Sequence, residues 1–218
     1  KPNYWREAAA HGYWRPGQVR RQWFEGSKLV DEWASAPADY GEVHSLANHP
    51  VVGVCWWEAL AFARWLTGRL HTVGRLPADW QVRLPSEVEW EKAARGGDGR
   101  DFPWGDAADL ERTNFARSQI GTTSAVGCFP GGASPWQVEE MSGNVWEWTR
   151  SLYDTYPYPT GGKSLQQRED LTAGDSHSRV LRGGAFNNNE SDVRCAARHG
   201  HFPLIRLDNI GFRVCASP

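Results

Sequence analysis

The strongest periodic pattern in the chain follows His49-Pro50-Val51-Val52-Gly53-Val54. There Trp57, Leu60, Ala61 and Trp65 recur at three- and four-residue spacing and form one apolar stripe. This spacing predicts a helix, with Gly68 as its stop. A second helix is marked by Ser86-Glu87-Val88-Glu89, in which the serine satisfies a free amide and the glutamate reaches back to the helix start. Val88 and Trp90 through Ala94 supply its buried side, and Arg95-Gly96-Gly97 ends it. Glu87, Glu89 and Glu91 read as capping and solvated helix positions rather than paired catalytic carboxylates, because Glu favours early helical turns.

Beyond the second helix, Pro103, Gly105, Gly121, Gly127, Pro130, Gly131, Gly132 and Pro135 interrupt the chain and exclude long helices. Val145-Trp146-Glu147-Trp148-Thr149 alternates and predicts a strand, as do Val180 to Arg182, Val193 to Ala197 and Gly211 to Val214. Two main helices, short strands drawn from distant parts of the sequence and many loops give an α+β class. Residues 1–47 are rich in Trp, Arg and Gly with weak periodicity. They read as an N-terminal extension packed on a main domain covering 48–218.

Composition narrows the function classes. A chain of 218 residues can bury a sizeable core. Its net charge of −2 argues against a nucleic-acid partner, which needs concentrated Lys and Arg. No apolar run approaches the ~20 residues of a membrane helix. There is no signal-peptide pattern, and the chain begins at Lys1 without Met; a cytoplasmic location is the favoured expectation. Cys55, Cys128, Cys195 and Cys215 show no CxxC spacing, which disfavours zinc. Cys195 and Cys215 fall in segments that can be neighbouring strands, so a disulfide and buried free thiols both remain open.

The segment from Arg179 to Val214 reads RVLRGGAFNNNESDVRCAARHGHFPLIRLDNIGFRV. Between its fixed arginines, glycines and Pro203 lie Phe186, Asn187, Asn188, Ser191, Asp192, His199, Gly200, His201, Phe202, Leu204, Ile205, Leu207 and Asp208, with no periodicity. Large apolar groups beside imidazoles in a turn-rich span predict exposed side chains on a rigid scaffold, which is what a binding surface requires. The alternative for Phe186 and Phe202 is core packing. Arg182, Arg194, Arg198, Arg206 and Arg213 are expected to hold loops through carbonyls and carboxylates. No GxSxG, HExxH or phosphate loop occurs. His199 and His201, two apart, suit a binding surface better than a metal site.

Four motifs in order, RLPSEVEWEKAARGG, FPWGD, MSGNVWEWT and RVLRGG…VRCAAR…NIGFRV, resemble the formylglycine-generating-enzyme, or sulfatase-modifying-factor, superfamily. The resemblance implies a variant of the C-type lectin fold over roughly Asn48 to Val214, with Trp90, Trp104, Trp146 and Trp148 in its core. It also implies a weaker first-helix start, since Cys55 stands where relatives usually carry a capping serine. Catalytic members carry a cysteine pair, which binds copper, between the RGG turn and the next arginine-rich segment. Here that interval is Ala185 to Asp192 and holds no cysteine, so the resemblance implies that the enzymatic activity is absent and no cofactor is required. Ala94 stands where some members carry a helix cysteine bridged to the RCAAR cysteine.

Within the superfamily the sequence is most like the variable proteins of diversity-generating retroelements. Their genes are rewritten at template adenines, and altered Asn codons yield His, Gly, Phe, Leu, Ile, Asp, Ser or Arg. The resemblance therefore implies a variable region at about 185–209 that binds a macromolecular ligand. It also implies a structural calcium on the carbonyls of Ser142, Gly143 and Val145 and the carboxylate of Glu147, the alternative being a Glu147 ion pair with Arg182 or Arg213. Two other readings stand beside it: a metal-dependent oxidase of the same superfamily with altered chemistry, and a sensory or adaptor domain of a larger signalling protein.

Overall fold

Regular structure begins where the sequence pattern is weakest. The computed structural model describes residues 2–157 and 166–218, so Lys1 of the expected N-terminal extension lies outside it. A short helix, Arg6–Ala10 (α1), leads into strands Trp14–Arg15 (β1), Gln18–Glu25 (β2) and Lys28–Ala34 (β3). These pair antiparallel in the order β1-β2-β3.

The first long helix runs Trp56–Thr72 (α2). Its start is better held than a cysteine cap suggests, because Glu58 accepts a 2.8 Å hydrogen bond from the Cys55 N–H. Gly68 does not stop it. The helix continues to Thr72, and Gly74 just beyond it has a positive φ of 65° that lets the chain turn back, with Gly74 N–H bonded to His71 O and Arg75 N–H to Leu70 O. That pairing satisfies the last free carbonyls, which a glycine inside the helix cannot do by itself.

Strand Gln81–Arg83 (β4) precedes the second helix, Glu87–Arg95 (α3). Ser86 caps α3 as the sequence predicts: its hydroxyl accepts from the Glu89 N–H at 3.2 Å, and Glu89 accepts from the Ser86 N–H at 2.8 Å. Trp90 and Ala94 are buried, whereas Val88 faces outward, contrary to expectation. A buried ion-pair cluster takes the inner side instead, because Glu87 is enclosed by Arg168, Arg182 and Arg198. Glu87 is therefore not a solvated helix position.

Strands Trp146–Leu152 (β5), Arg179–Arg182 (β6), His199–His201 (β7) and Ile210–Phe212 (β8) form a four-stranded sheet in the order β7-β6-β5-β8. Its β5–β8 pair is parallel and the others antiparallel. Cys215–Ser217 (β9) pairs with β4. The expected strand at Val193 to Ala197 is absent. In its place the carbonyls of Cys195, Ala196 and Ala197 accept hydrogen bonds from the buried Arg182 guanidinium, so side chain replaces ladder.

The main core joins Trp56, Trp57 and Leu60 of α2 to Trp146, Trp148 and Leu181 of the sheet. Trp56 and Trp148 also place their indole N–H groups on Thr149 O at 2.8 Å and Val54 O at 3.1 Å. Trp90 is buried in a second cluster, and Trp104 is partly buried against Phe102. The α+β class is thus shown.

Candidate ligand-binding surface

The region 185–209 divides into three parts with different physical roles. The first, Ala185 to Asp192, is pinned by its own amides. Asn188 accepts from the Ala185 N–H at 3.0 Å through its side chain and from the Ala116 N–H at 2.9 Å through its carbonyl. A 3-10 turn over Glu190–Val193 follows, where Ser191 lies at the surface and Asp192 is half-buried. Phe186 is 5% exposed, its N–H bonded to Asn144 O and its ring 6.1 Å from His44. It is a packed residue, not a displayed one.

The second part is the edge strand β7. His199 pairs across to Leu181 and His201 to Arg179, so both imidazoles lie on one face of the sheet, with ring centroids 5.8 Å apart. His201 sits 6.3 Å from Phe24 of the β2–β3 hairpin. Burial, and then the neighbouring His199, hold its pKa down at about 4. Between the histidines, a Cβ on Gly200 would come within 2.5 Å of the Tyr153 ring, so any other residue there must displace Tyr153.

Phe202 is 49% exposed and opens the third part, where the expectation of display fails most clearly. Leu204 is 0% exposed and Ile205 1%, and Leu204 belongs to the main core. The cause is a strap of backbone bonds: Gln22 N–H to Leu204 O, Arg206 N–H to Gln22 O, Trp56 N–H to Pro203 O and Gly53 N–H to Leu207 O. Strand β2 and the start of α2 clamp this stretch from both sides. Leu207 packs partly on the same core. Leu204, Ile205 and Phe186 are therefore removed from the displayed set.

The remaining positions are tied together by contacts at two ends. The Asn209 side chain donates to Asn187 at 3.0 Å, tying the two ends of the region together. Trp146 links that end to β7, since its N–H donates to Asn209 O and its ring lies 5.6 Å from His199. Asp208 is half-buried beside this end. Phe24 and Tyr153 approach His201 and Gly200 from elsewhere in the sequence, and no local pattern could have announced them. The frame arginines behave as the sequence implies. Arg206 bonds Glu32 and Tyr40, Arg213 bonds the carbonyls of Glu139 and Glu140, Arg198 bonds Glu87, and Arg194 bonds Ser191 O.

The carboxylate expected to ligate calcium is engaged by protein donors instead. Glu147 accepts from Arg213 on both oxygens, at 2.5 and 2.6 Å, and from the Trp90 indole at 2.6 Å, so its charge is already neutralised. The Ser142 carbonyl accepts the Thr113 hydroxyl, and Gly143 donates its N–H to Gly183 O at 2.7 Å. Val145 is buried beside them. The ion-pair alternative, with Arg213 as partner, is the one realised.

The four cysteines are free. Cys55 and Cys195 are buried, Cys215 is half-buried and Cys128 is exposed. Burial, partly opposed by nearby Arg95 and Arg182, pushes the Cys195 thiol up to about 12. The Asn114 side-chain amide donates to Thr122 O at 2.8 Å and to the Ser124 hydroxyl at 3.2 Å.

The sequence matches the family described as Sulfatase-modifying factor enzyme 1-like domain over residues 5–218. The chain belongs to this family. The match takes in the β1-β2-β3 hairpin sheet as well as the main domain. Among curated relatives, the serine/threonine-protein kinase Pkn1 of Chlamydia trachomatis is 37% identical over 171 residues, 78% of this chain and 24% of that protein. The formylglycine-generating enzyme of Streptomyces coelicolor is 32% identical over 203 residues, 85% of this chain and 58% of that enzyme. This chain thus spans about a quarter of the first relative's length. Of solved structures, Treponema denticola variable protein 1 superposes with a TM-score of 0.65, 22% identity, and coverage of 83% of this chain and 74% of that one. At that identity the likeness establishes the fold.

Proposed function

We propose that this chain is a non-enzymatic, receptor-like ligand-binding protein of the retroelement-diversified kind. Its contact surface would be Asn187, Asn188, Ser191, Asp192, His199, His201, Phe202, Leu207 and Asp208, facing a macromolecular ligand. The observation that carries this reading is the interval Ala185 to Asp192, which holds no cysteine. The next thiol along, Cys195, is buried and held protonated. Thiolate ligation and thiol redox chemistry therefore have no residue to use there. The fold shared with the Treponema variable protein supports the same reading. An oxidase of altered chemistry needs clustered ligands, and among the described residues no group of three His, Cys, Asp or Glu side chains is placed to hold a metal ion.

The kinase relative favours one second reading, a sensory module of a longer signalling protein, since this domain matches 24% of that protein. The DNA around the gene separates the two. A near-copy of the stretch encoding Ala185 to Asn209 beside a reverse transcriptase gene is expected, differing at adenines that map to the contact positions above. Differences spread equally over buried Leu204 and Ile205, or no such copy at all, would sink the retroelement reading. An appended effector domain in the same gene would favour the sensory one.

A further inference from the structure

Strand β3 pairs with β2 on one side only, and the order β1-β2-β3 leaves its other edge free among the described residues. Which backbone groups lie on that edge follows from β2. Arg20 N–H bonds Tyr13 O, Gln22 N–H bonds Leu204 O, and Gln22 O accepts the Arg206 N–H, so both residues direct these groups away from β3. Their partners across the pair are Trp33 and Asp31. In an antiparallel ladder, opposite residues exchange both bonds or neither, alternately along the strand. Trp33, Asp31 and, by alternation, Leu29 therefore turn their N–H and C=O groups outward. No backbone group of another described residue bonds them. Leu29 is 45% exposed, Lys28 and Asp31 are exposed, and β3 contains no proline to blunt the edge.

The strand is self-complementary in one register. Lys28, Val30 and Glu32 lie on the same face of β3. Pairing β3 antiparallel with a second β3 about Val30 sets Lys28 of each copy opposite Glu32 of the other, with the two Val30 side chains between them. In the same register Leu29 meets Asp31, and these are residues whose outward groups can exchange both backbone bonds. Lys28 and Glu32 then form a non-hydrogen-bonded pair, where side chains lie closer and opposite charges stabilise. Both groups are available for it. Lys28 joins no ion pair among the described residues, and Glu32 takes Arg21 and Arg206 on Oε1 alone. Centring the pairing on Asp31 would oppose two like charges, so charge selects the Val30 register.

We propose that β3 is a self-association edge, on which a second copy of this chain lays its own β3 antiparallel about Val30. Strand β2 is bonded to Leu204 and Arg206, and Phe24 lies 6.3 Å from His201, so the pair carries two C-terminal surfaces on one continuous sheet. On the ligand-binding reading above, such a pair is bivalent and holds a repeated ligand by both surfaces, which raises affinity without new contacts. That consequence rests on the ligand reading, whereas the pairing itself does not. One short strand makes a small interface, so the association is weak and depends on concentration.

Sedimentation velocity of the chain without ligand, from about 1 μM to about 1 mM, tests the pairing. The mass should rise from that of one chain towards that of two. Lys28→Glu sets like charges opposite each other and should weaken the dimer at least about tenfold, while Lys28→Arg keeps it. Leu29→Pro removes an outward N–H, where an edge strand tolerates proline, and should abolish the dimer with little change in Tm. Val30→Cys made together with Cys128→Ser should crosslink two copies on oxidation, and Cys128→Ser alone should not. A single-chain mass at every concentration overturns the proposal, as does a dimer that survives both Lys28→Glu and Leu29→Pro. If Leu29→Pro does not fold, a dimer unchanged by Lys28→Glu, or one that fails to crosslink through position 30, overturns it. A monomer that still binds a macromolecular ligand would count against the pairing alone, and a dimer that binds none against the ligand reading alone.

Discussion

Phe202 and Leu204 are two positions apart and meet opposite environments. Phe202 projects from the end of β7 into solvent, while Leu204 turns inward between β2 and α2. Leu204→Ala is expected to cost about 2–5 kcal/mol, because a methyl-rich core group is lost and a cavity is left. Phe202→Ala should stay within about 0.5 kcal/mol, as surface changes do. Urea denaturation of both variants checks this, and equal losses would mean that the strap is not as described. His201 gives a pH signature. Its folded pKa, held near 4 by burial and His199, lies below the ordinary value of 6.5. The unfolded chain therefore takes up the proton first, and stability is full above about pH 6.5 and lost as pH falls towards 4. Thermal melts across that window should show a downward slope that His201→Gln flattens. None of this could be read from Arg198 to Asp208, where polar and apolar residues alternate without period. Their burial is set by Gln22 and Trp56, which lie some 150 positions or more away in the sequence.

At the scale of elements, the best-read unit is α3. Ser86 and Glu89 cap it and Gly96 ends it, since capping depends on residues within a few positions of each other. The role of Glu87 was not legible, because its partners come from beyond position 160 and nothing local distinguishes it from a solvated first-turn glutamate. It is buried between Arg182 and Arg198, with Arg168 at 3.6 Å, so it joins α3 to β6 and to the approach to β7. Glu87→Gln should cost about 3–5 kcal/mol, the scale for removing one partner of a buried ion pair. A melting temperature unchanged by that substitution would show that the cluster contributes little. The misjudged end of α2 has a related cause. Gly68 is tolerated in the interior because tertiary packing holds the helix, and the backbone waits for Gly74 to make its closing bonds.

At the scale of the whole molecule, the β1-β2-β3 sheet is a working part of the C-terminal surface. Strand β2 exchanges backbone bonds with Leu204 and Arg206, and Phe24 approaches His201. Native-state hydrogen exchange should therefore protect the amides of Gln22 and Arg206 together, at the same free energy of opening. An early, separate loss of protection in residues 18–34 would show the hairpin opening independently of the strap. The sequence by itself determined the helix starts, the arginine and glycine frame, the family and the lack of cysteines between the RGG turn and Asp192. Each of these depends on residue identity or on neighbours a few positions apart. Only the tertiary structure decided which members of the irregular C-terminal stretch face outward, which carboxylates are spoken for by arginine, and that β3 keeps one edge free. Burial outside a periodic element is imposed by whatever packs against it, and here those neighbours lie far off along the chain.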